Sequence, residues 1–263
     1  MATSRLDQAL VKRGLVESRT KAQRRIDAGD VSVGGSIQTK HAFPVNDDVA
    51  IVLSGDEDYV GRGAHKLLAA LDEWSLDVRG STSIDLGAST GGFTQVLLER
   101  GAREVVAVDV GHGQLHPSLV GDPRVTLCEG VNVRYLTPEW RESLDLASID
   151  WIVADLSFIS LTHIFMPVTE ALGLASWICL VKPQFEVGRT GVTEGIVTDP
   201  SSHVEAVEAV VQAAGECGLF LAGVMSSPIT GEAGNREYLC WLTPTRRRNQ
   251  TQWSEHIHHV THS

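Results

Sequence analysis

Asp85-Leu86-Gly87-Ala88-Ser89-Thr90-Gly91-Gly92-Phe93-Thr94 stands between a short strand-like run, Ser83-Ile84, and a helix-like run from Phe93 to Arg100. A glycine-rich turn between a strand and a helix lets a ligand approach the backbone, because no side chain stands in the way. The frame is D-x-G-x-x-x-G-G, which is not the G-x-G-x-x-G of dinucleotide sites. An acid at the head of the turn repels a phosphate and suits a cationic or amino-bearing ligand. S-adenosylmethionine (SAM), with an ammonium, a sulfonium and no phosphate, fits that requirement. Asp85, Gly87, Ala88, Ser89, Thr90, Gly91, Gly92 and Phe93 are therefore candidate cofactor contacts.

A second acid lies 24 residues on: the apolar run Val105 to Val108 ends at Asp109. A carboxylate at the end of a second strand is placed to accept both ribose hydroxyls of an adenosine. Either feature alone reads equally well as a ligand-free turn or a solvated strand end. Together, at this spacing, they favour a nucleoside-type cofactor.

From Arg62 onward strands and helices alternate. A helix covers about 63–74. Strands end at Asp85, Asp109, Asp155 and Lys182, another runs Leu219 to Met225, and a last one runs Arg236 to Leu242 after a glycine-bearing loop. Helices fall near 92–100, 161–173 and 201–217. Such alternation predicts an α/β fold with a mostly parallel sheet and an antiparallel last strand, which with the SAM-type loop makes a Rossmann-like SAM-dependent methyltransferase fold the expectation. Ligands then sit outside the carboxyl ends of the strands.

That edge rule brings four charged residues together. Asp155 ends the apolar strand Trp151–Ala154, and Lys182 ends Ile178–Val181. Lys66 lies in the first turns of the helix before the Asp85 strand, and Glu237 opens the antiparallel last strand. Each alone reads as a solvated charge or a helix cap. Lys182 resists that reading, since it follows a wholly apolar run and is costly to bury unpaired. A polar-Pro-Pro-aromatic loop for an exocyclic amine is missing, because the sequence after the fourth strand is Asp155-Leu-Ser-Phe158. No cysteine stands at a strand end as a pyrimidine C5 nucleophile. A Lys-Asp-Lys-Glu group suits a hydroxyl acceptor such as a ribose 2′-OH, with in-line attack on a sulfonium methyl aided by proximity and orientation.

The first 53 residues differ in character. Leu6, Ala9, Leu10 and Leu15 mark a short helix ending at Gly14. Ser18 caps a second through Ala28, and Val31–Val33 and Val49–Leu53 read as strands. Residues 1–45 carry a net charge of +4, while the rest carry −15 within a total of −11. A generic charge run is a solvated helix face; this asymmetry makes the N-terminal piece a candidate for an acidic polymer. Arg5, Lys12, Arg13, Arg19, Lys21, Arg24, Arg25 and Arg62 are the candidate RNA-binding residues. The expected organisation is a small α+β domain over 1–53, a linker over 54–61, a methyltransferase domain over 62–245 and a disordered histidine-rich tail over 246–263.

Composition sets outer limits. With 43% hydrophobic residues the chain suits one large core and a small extra unit. Cys128, Cys179, Cys217 and Cys240 form no C-x-x-C pair, so a reduced, cytoplasmic protein without zinc or disulfides is expected. The longest apolar run, Ala171 to Val181, is shorter than the roughly 20 residues a spanning helix needs, so no membrane partner is expected. His256, His258, His259 and His262 crowd the tail without acidic or cysteine partners in regular spacing, and no metal site is expected.

Several strings carry a family resemblance over nearly the whole chain. Arg5-Leu-Asp7, Ser18-Arg19 and Gly29-Asp-Val-Ser-Val-Gly-Gly35 resemble an S4 RNA-binding domain. GRGAHKL (61–67), DLGASTGGFT (85–94), DVGHGQL (109–115), ADLSFISL (154–161) and LVKPQFEVG (180–188) resemble the FtsJ-type ribose 2′-O-methyltransferase domain. In this order they are similar to the TlyA family of ribosomal-RNA methyltransferases, also labelled haemolysins. The resemblance implies SAM-dependent methylation of a cytidine 2′-hydroxyl in 16S and/or 23S ribosomal RNA, with ribosomal subunits as partners. It puts the catalytic group on Lys66, Asp155, Lys182 and Glu237. It puts SAM on the 85–94 loop, Asp109 and Asp155, with Asn132 near the adenine. Where mycobacterial-type members have Arg-x-Trp-Val before the first helix, this chain has Glu57-Asp-Tyr-Val60. Two other readings stand beside this one: a non-catalytic RNA-binding protein on a SAM fold, and a membrane-lytic haemolysin. A net charge of −11 disfavours the latter on anionic membranes.

Overall fold

The computed structural model describes residues 3–16, 18–27, 29–46, 48–53, 59–144, 146, 148–188, 195–231, 234–245 and 250–262, the first three of the last stretch by backbone alone. Residues 54–58, which hold most of the expected linker, lie outside these. The chain divides into two compact units, Met1–Arg62 and Gly63–Ser263.

In the N-terminal unit β1 (Thr3–Arg5) leads into α1 (Leu6–Lys12), followed by α2 (Arg19–Asp27), β2 (Val31–Val33), β3 (Ser36–Ile37), β4 (Pro44–Asn46) and β5 (Ile51–Leu53). Ser18 caps α2 as its sequence suggests, its Oγ accepting from the Lys21 N–H at 3.2 Å. Strands β3-β2-β5 form an antiparallel sheet, and β1 pairs with β4. The helices bury Leu6, Leu10, Ala22 and Ile26 against Val31 and Val45. β1, β3 and β4 are too short and too polar to show a strand period in the sequence.

The larger unit runs α3 (Ala64–Glu73), β6 (Thr82–Leu86), α4 (Gly92–Glu99), β7 (Glu104–Asp109), α5 (Pro117–Val120), β8 (Val125–Glu129), α6 (Pro138–Glu142), β9 (Trp151–Ala154), α7 (Phe165–Leu172), β10 (Ser176–Val181), α8 (Pro183–Glu186), α9 (Pro200–Glu216), β11 (Phe220–Ser226), β12 (Tyr238–Thr243) and α10 (Gln250–His262). The sheet order is β11-β12-β10-β9-β6-β7-β8. β12 is antiparallel to both neighbours, and the pairs from β10 to β8 are parallel. This is the mostly parallel α/β sheet with an antiparallel late strand that the alternation predicts. β8 escapes the sequence reading because it is a half-buried edge strand, Val-Thr-Leu-Cys-Glu, without an apolar run.

Successive strand residues point to opposite faces. Ile84, Leu86, Val106, Val108, Ile152, Trp177, Cys179, Tyr238 and Cys240 enter one core with α7, α9 and α10. The alternate residues Asp85, Val105, Ala107, Val153, Ile178 and Leu180 are buried on the other face, where α3 and α4 lie. The parity that fills the core thus turns Asp85 toward α4.

The expected disordered tail is corrected over 250–262, which is helix α10. Trp253 and Ile257 are buried in the main core, and Val260 packs against it. Arg236 donates to the carbonyl of Thr261 at 3.1 Å, satisfying an orphan carbonyl at the helix end. The i, i+4, i+7 spacing of Trp253, Ile257 and Val260 carries the helix, while the histidines sit between its apolar positions.

Candidate active site

The loop after β6 is built to be thin. Gly87 has φ +83°, and a Cβ there would lie 3.0 Å from the carbonyl oxygen of Asp155. Gly91 has φ +98°, and a Cβ there would collide with the Leu119 side chain. Both positions combine a left-handed backbone with close approach, so glycine is required. The N–H groups of Gly87 and Ala88 donate to the Val108 carbonyl, which ties the loop to the end of β7. Only Ser89 is exposed on this loop, with Gly87 and Thr90 half-buried. Phe93 is 4% exposed, and its ring, like Asp155 Oδ2, lies against Gly63 just before α3.

Asp85 lies beneath the loop, with no exposed surface. Its Oδ2 accepts from the Thr94 hydroxyl at 2.7 Å, while Oδ1 is buried without a hydrogen-bond partner. Burial pushes this carboxyl up to about 7, against the Thr94 bond; the charges of Asp155 and Asp109 push the same way. An orphaned acid oxygen among like charges calls for a cation above it. The ammonium and sulfonium of SAM supply positive charge and no phosphate, so the residues fit that cofactor.

Asp109 ends β7 at the same edge. Its Oδ2 accepts from the Ser89 N–H at 2.8 Å and its Oδ1 from the Gly111 N–H at 2.7 Å. Each carboxylate oxygen keeps a second lone pair, so the group can still accept ribose hydroxyls. Asn132 is brought close by the Val131 N–H, which donates to the Asp109 carbonyl at 3.0 Å. Its own Oδ1 caps the following turn by accepting from the Arg134 N–H.

Lys66, Asp155, Lys182 and Glu237 meet as one cluster. Lys66 Nζ donates to Glu237 Oε2 at 2.8 Å and lies 3.5 Å from Asp155 Oδ2. Lys182 Nζ lies 2.7 Å from Asp155 Oδ1 and donates to Ser157 Oγ at 2.8 Å. Both lysines are more than nine-tenths buried, and Asp155 bridges them. Burial pushes the Asp155 carboxyl up, but the two ammonium groups outweigh it and hold the group below its ordinary value. The cluster holds two cations and two anions, which is what keeps it from the cost of an unpaired buried charge.

Four neighbours were not singled out by the sequence. Ser157 is the second partner of Lys182. Gly231 leaves room for Glu237, since a Cβ there would stand 2.5 Å from Glu237 Oε1. Phe158 is 90% exposed with φ +65°, its ring centroid 5.3 Å from that of Phe185. Glu186 fastens the loop that carries Asp155. The strings ADLSFISL and LVKPQFEVG contain Ser157, Phe158 and Glu186 but not Gly231, and hydrogen bonding across 25 positions has no sequence period.

In the N-terminal unit the basic residues divide into two kinds. Buried Asp7 accepts from Arg5 (3.0 Å), Arg19 (2.8 Å) and Gln23 (3.0 Å), and these bonds, Arg5 first, hold its carboxyl well below the usual range. Arg13 donates to the carbonyls of Val49 and Asn46, and Arg25 pairs with Asp30 at 3.3 Å. Arg13 and Arg25 thus brace the fold instead of lying open on one surface. Lys12 and Arg24 are exposed, Lys21 is half-buried, and Arg62 is half-buried near Gly29.

The pattern of the FtsJ-like methyltransferase family matches residues 59–243, and that of the S4 domain matches residues 4–51. The 16S/23S rRNA (cytidine-2′-O)-methyltransferase TlyA of Mycobacterium tuberculosis is 46% identical over 91% of this chain and 89% of its own. Hemolysin A of Brachyspira hyodysenteriae is 38% identical over 89% of this chain and 98% of its own. A solved structure named as a hemolysin of Streptococcus thermophilus superposes with a TM-score of 0.76 at 36% identity, over 100% of this chain and 96% of that one. The chain is a member of the TlyA family, an FtsJ-like methyltransferase domain behind an S4 domain, and an enzyme whose methyl donor is S-adenosylmethionine.

Proposed function

We propose that this enzyme methylates the 2′-hydroxyl of a cytidine in ribosomal RNA, with Lys66, Asp155, Lys182 and Glu237 as its catalytic group. One observation carries the reading: four charged side chains from four separate elements form a closed, charge-balanced cluster at the strand edge beside the SAM loop. The relative from Mycobacterium tuberculosis is named for cytidine 2′-O-methylation of 16S and 23S rRNA, which supports the same substrate here.

In this reading the 85–94 loop, Asp85, Asp109 and Asn132 hold the cofactor: the acid beneath the loop faces its positive charge, Asp109 takes the ribose hydroxyls, and Asn132 borders the adenine. Bound there, SAM supplies an electrophilic methyl group on a sulfonium. Lys182 and Lys66 present N–H donors that fix the lone pairs of the incoming hydroxyl oxygen. Asp155 and Glu237 fix both ammonium groups, so neither lysine swings out of position. The hydroxyl proton would pass, directly or through a lysine, to a carboxylate of this cluster as the oxygen–carbon bond forms and the carbon–sulfur bond breaks, leaving a neutral thioether. The exposed ring of Phe158 at the head of the same loop offers a face on which an unstacked base can rest.

The S4 unit contributes phosphate contacts through Arg5, Lys12, Arg19, Lys21, Arg24 and Arg62, and ribosomal subunits in the cytoplasm are the partner. No helix among the described residues is long and apolar enough to cross a membrane. Transfer of labelled methyl from SAM to ribosomal subunits that lack the modification, followed by mapping of the methylated nucleotide, tests the proposal. A product methylated on a base, or on a nucleotide other than cytidine, refutes it. SAM binding without any transfer favours the non-catalytic reading.

A further inference from the structure

Lys182 has two partners, Asp155 Oδ1 at 2.7 Å and Ser157 Oγ at 2.8 Å, and both stand on the loop that follows β9. The near end of that loop is set by the sheet, where the Asp155 N–H donates to the Leu86 carbonyl. Its far end is set by one side chain. Glu186 Oε2 accepts from the Ser160 hydroxyl at 2.5 Å, and Glu186 Oε1 accepts from the Leu161 N–H at 3.0 Å. Glu186 closes α8, the single turn that begins directly after Lys182 and is locked by the Phe185 N–H on the Lys182 carbonyl at 2.8 Å.

The contacts therefore close a ring: Lys182 to Asp155 and Ser157, along the loop to Ser160 and Leu161, across to Glu186, and back through α8 to Lys182. We infer that Glu186 is a positioning residue for the Lys182–Asp155 pair, holding the loop after β9 at a fixed distance from the turn that carries Lys182. This rests on the proposed methyl-transfer function and assigns a residue to its support.

Three features set Glu186 apart from an ordinary surface acid. It is half-buried, and the partners found for it among the described residues are a hydroxyl and a backbone N–H of the loop, not a cation. Burial raises its carboxyl above the ordinary value, and the Leu161 and Ser160 bonds offset this only in part. The tethered loop also holds Phe158 at φ +65°, a conformation that a non-glycine residue keeps only where its surroundings over-determine it. The Phe158–Phe185 ring contact joins the same two segments a second time.

The test uses the full-length protein and methyl transfer to unmodified ribosomal subunits at saturating SAM. Glu186→Ala lowers kcat by about 10- to 100-fold, the scale set by misplacing a catalytic group by about 1 Å. SAM affinity and Tm stay at wild-type values. Glu186→Gln restores kcat to within about threefold, since its amide oxygen still accepts from Leu161 and its NH2 donates to the Ser160 oxygen. Ser160→Ala produces a smaller loss, and combining it with Glu186→Ala adds nothing, because both cut one tether. A wild-type kcat in Glu186→Ala overturns the inference. So does a parallel fall of kcat, SAM affinity and Tm, or strictly additive losses in the double variant. If the wild-type protein transfers no methyl group, the functional reading fails and takes the inference with it; an active wild type with an unaffected Glu186→Ala sinks the inference alone.

Discussion

Asp85→Asn separates the charge beneath the 85–94 loop from the shape of the loop. The native carboxyl is fully buried and titrates at about 7, against 3.8 for the same group in an unfolded chain. The folded state therefore binds more protons than the unfolded state between those values, so stability is greatest below about pH 4 and falls as pH rises through the native value. Integrated to neutral pH, a shift from 3.8 to about 7 amounts to about 4 kcal/mol of stability lost by this one group. Asparagine keeps the bond to Thr94 and removes the charge, at a cost of about 1–3 kcal/mol for its less well satisfied amide. The difference in stability between variant and wild type should thus grow in favour of the variant from about pH 5.5 to about pH 8, by about 2–3 kcal/mol. Urea denaturation followed by tryptophan fluorescence at several pH values reads it directly. Calorimetry adds a second reading. A cationic ligand lowers the native carboxyl's pKa, so SAM binding near pH 6 should release part of a proton in the wild type and less in Asp85→Asn. Parallel stability curves for the two proteins across that range, with equal proton release, would show that Asp85 is not the strained acid described here.

Three other perturbations address separate parts of the molecule. If the proposed roles hold, Lys182→Ala should abolish methyl transfer while SAM affinity, read by calorimetry, stays within about threefold, because the lysine pairs with Asp155 and Ser157 and not with the 85–94 loop. Trp253→Ala should lower stability in urea by about 3–5 kcal/mol, since its ring is buried in the main core; an unchanged midpoint would mean that α10 does not pack there. The double change Lys12→Glu and Arg24→Glu should weaken RNA binding and flatten its dependence on salt, through fewer counterions released. Those positions avoid Arg19, whose exchange for glutamate would set a like charge against buried Asp7 and unfold the unit for unrelated reasons.

The sheet was legible in the sequence because its central strands are continuous apolar runs ending in a charge. Asp109, Asp155 and Lys182 mark three carboxyl ends within a residue. The edge rule then placed Lys66 and Glu237 correctly without any side-chain information. What stayed hidden lacked a period. β8 is an edge strand with a half-buried face, and α10 was masked by histidines that occupy its exposed positions. Asp85 shows a subtler limit. Its acidic character was visible, but its depth follows from the alternation of β6, which turns it inward to Thr94. The basic residues of the S4 unit show the same gap between charge and role. Arg13 and Arg5 look alike in sequence, yet one braces backbone carbonyls and the other forks onto a buried carboxylate.

The depth of Asp85 also bears on how the proposed enzyme would take two ligands of opposite charge. Beside the loop, Lys66 and Lys182 are neutralised by Asp155 and Glu237, so this cluster itself offers no net charge to a phosphate or a cation. Asp85 is the uncompensated acid, and its Oδ1 lies under the loop with no donor. In the proposed reading positive charge is drawn to the loop, and the polyanionic RNA is taken by the S4 unit, where Asp7 fixes the guanidinium groups of Arg5 and Arg19. In the proposed reaction methyl transfer removes the positive charge from sulfur, so the neutral-sulfur product should bind less tightly than the charged donor above about pH 7. Asp85→Asn should narrow that difference in calorimetric affinities; an unchanged ratio of the two affinities in the variant would refute a charge-sensing role for Asp85.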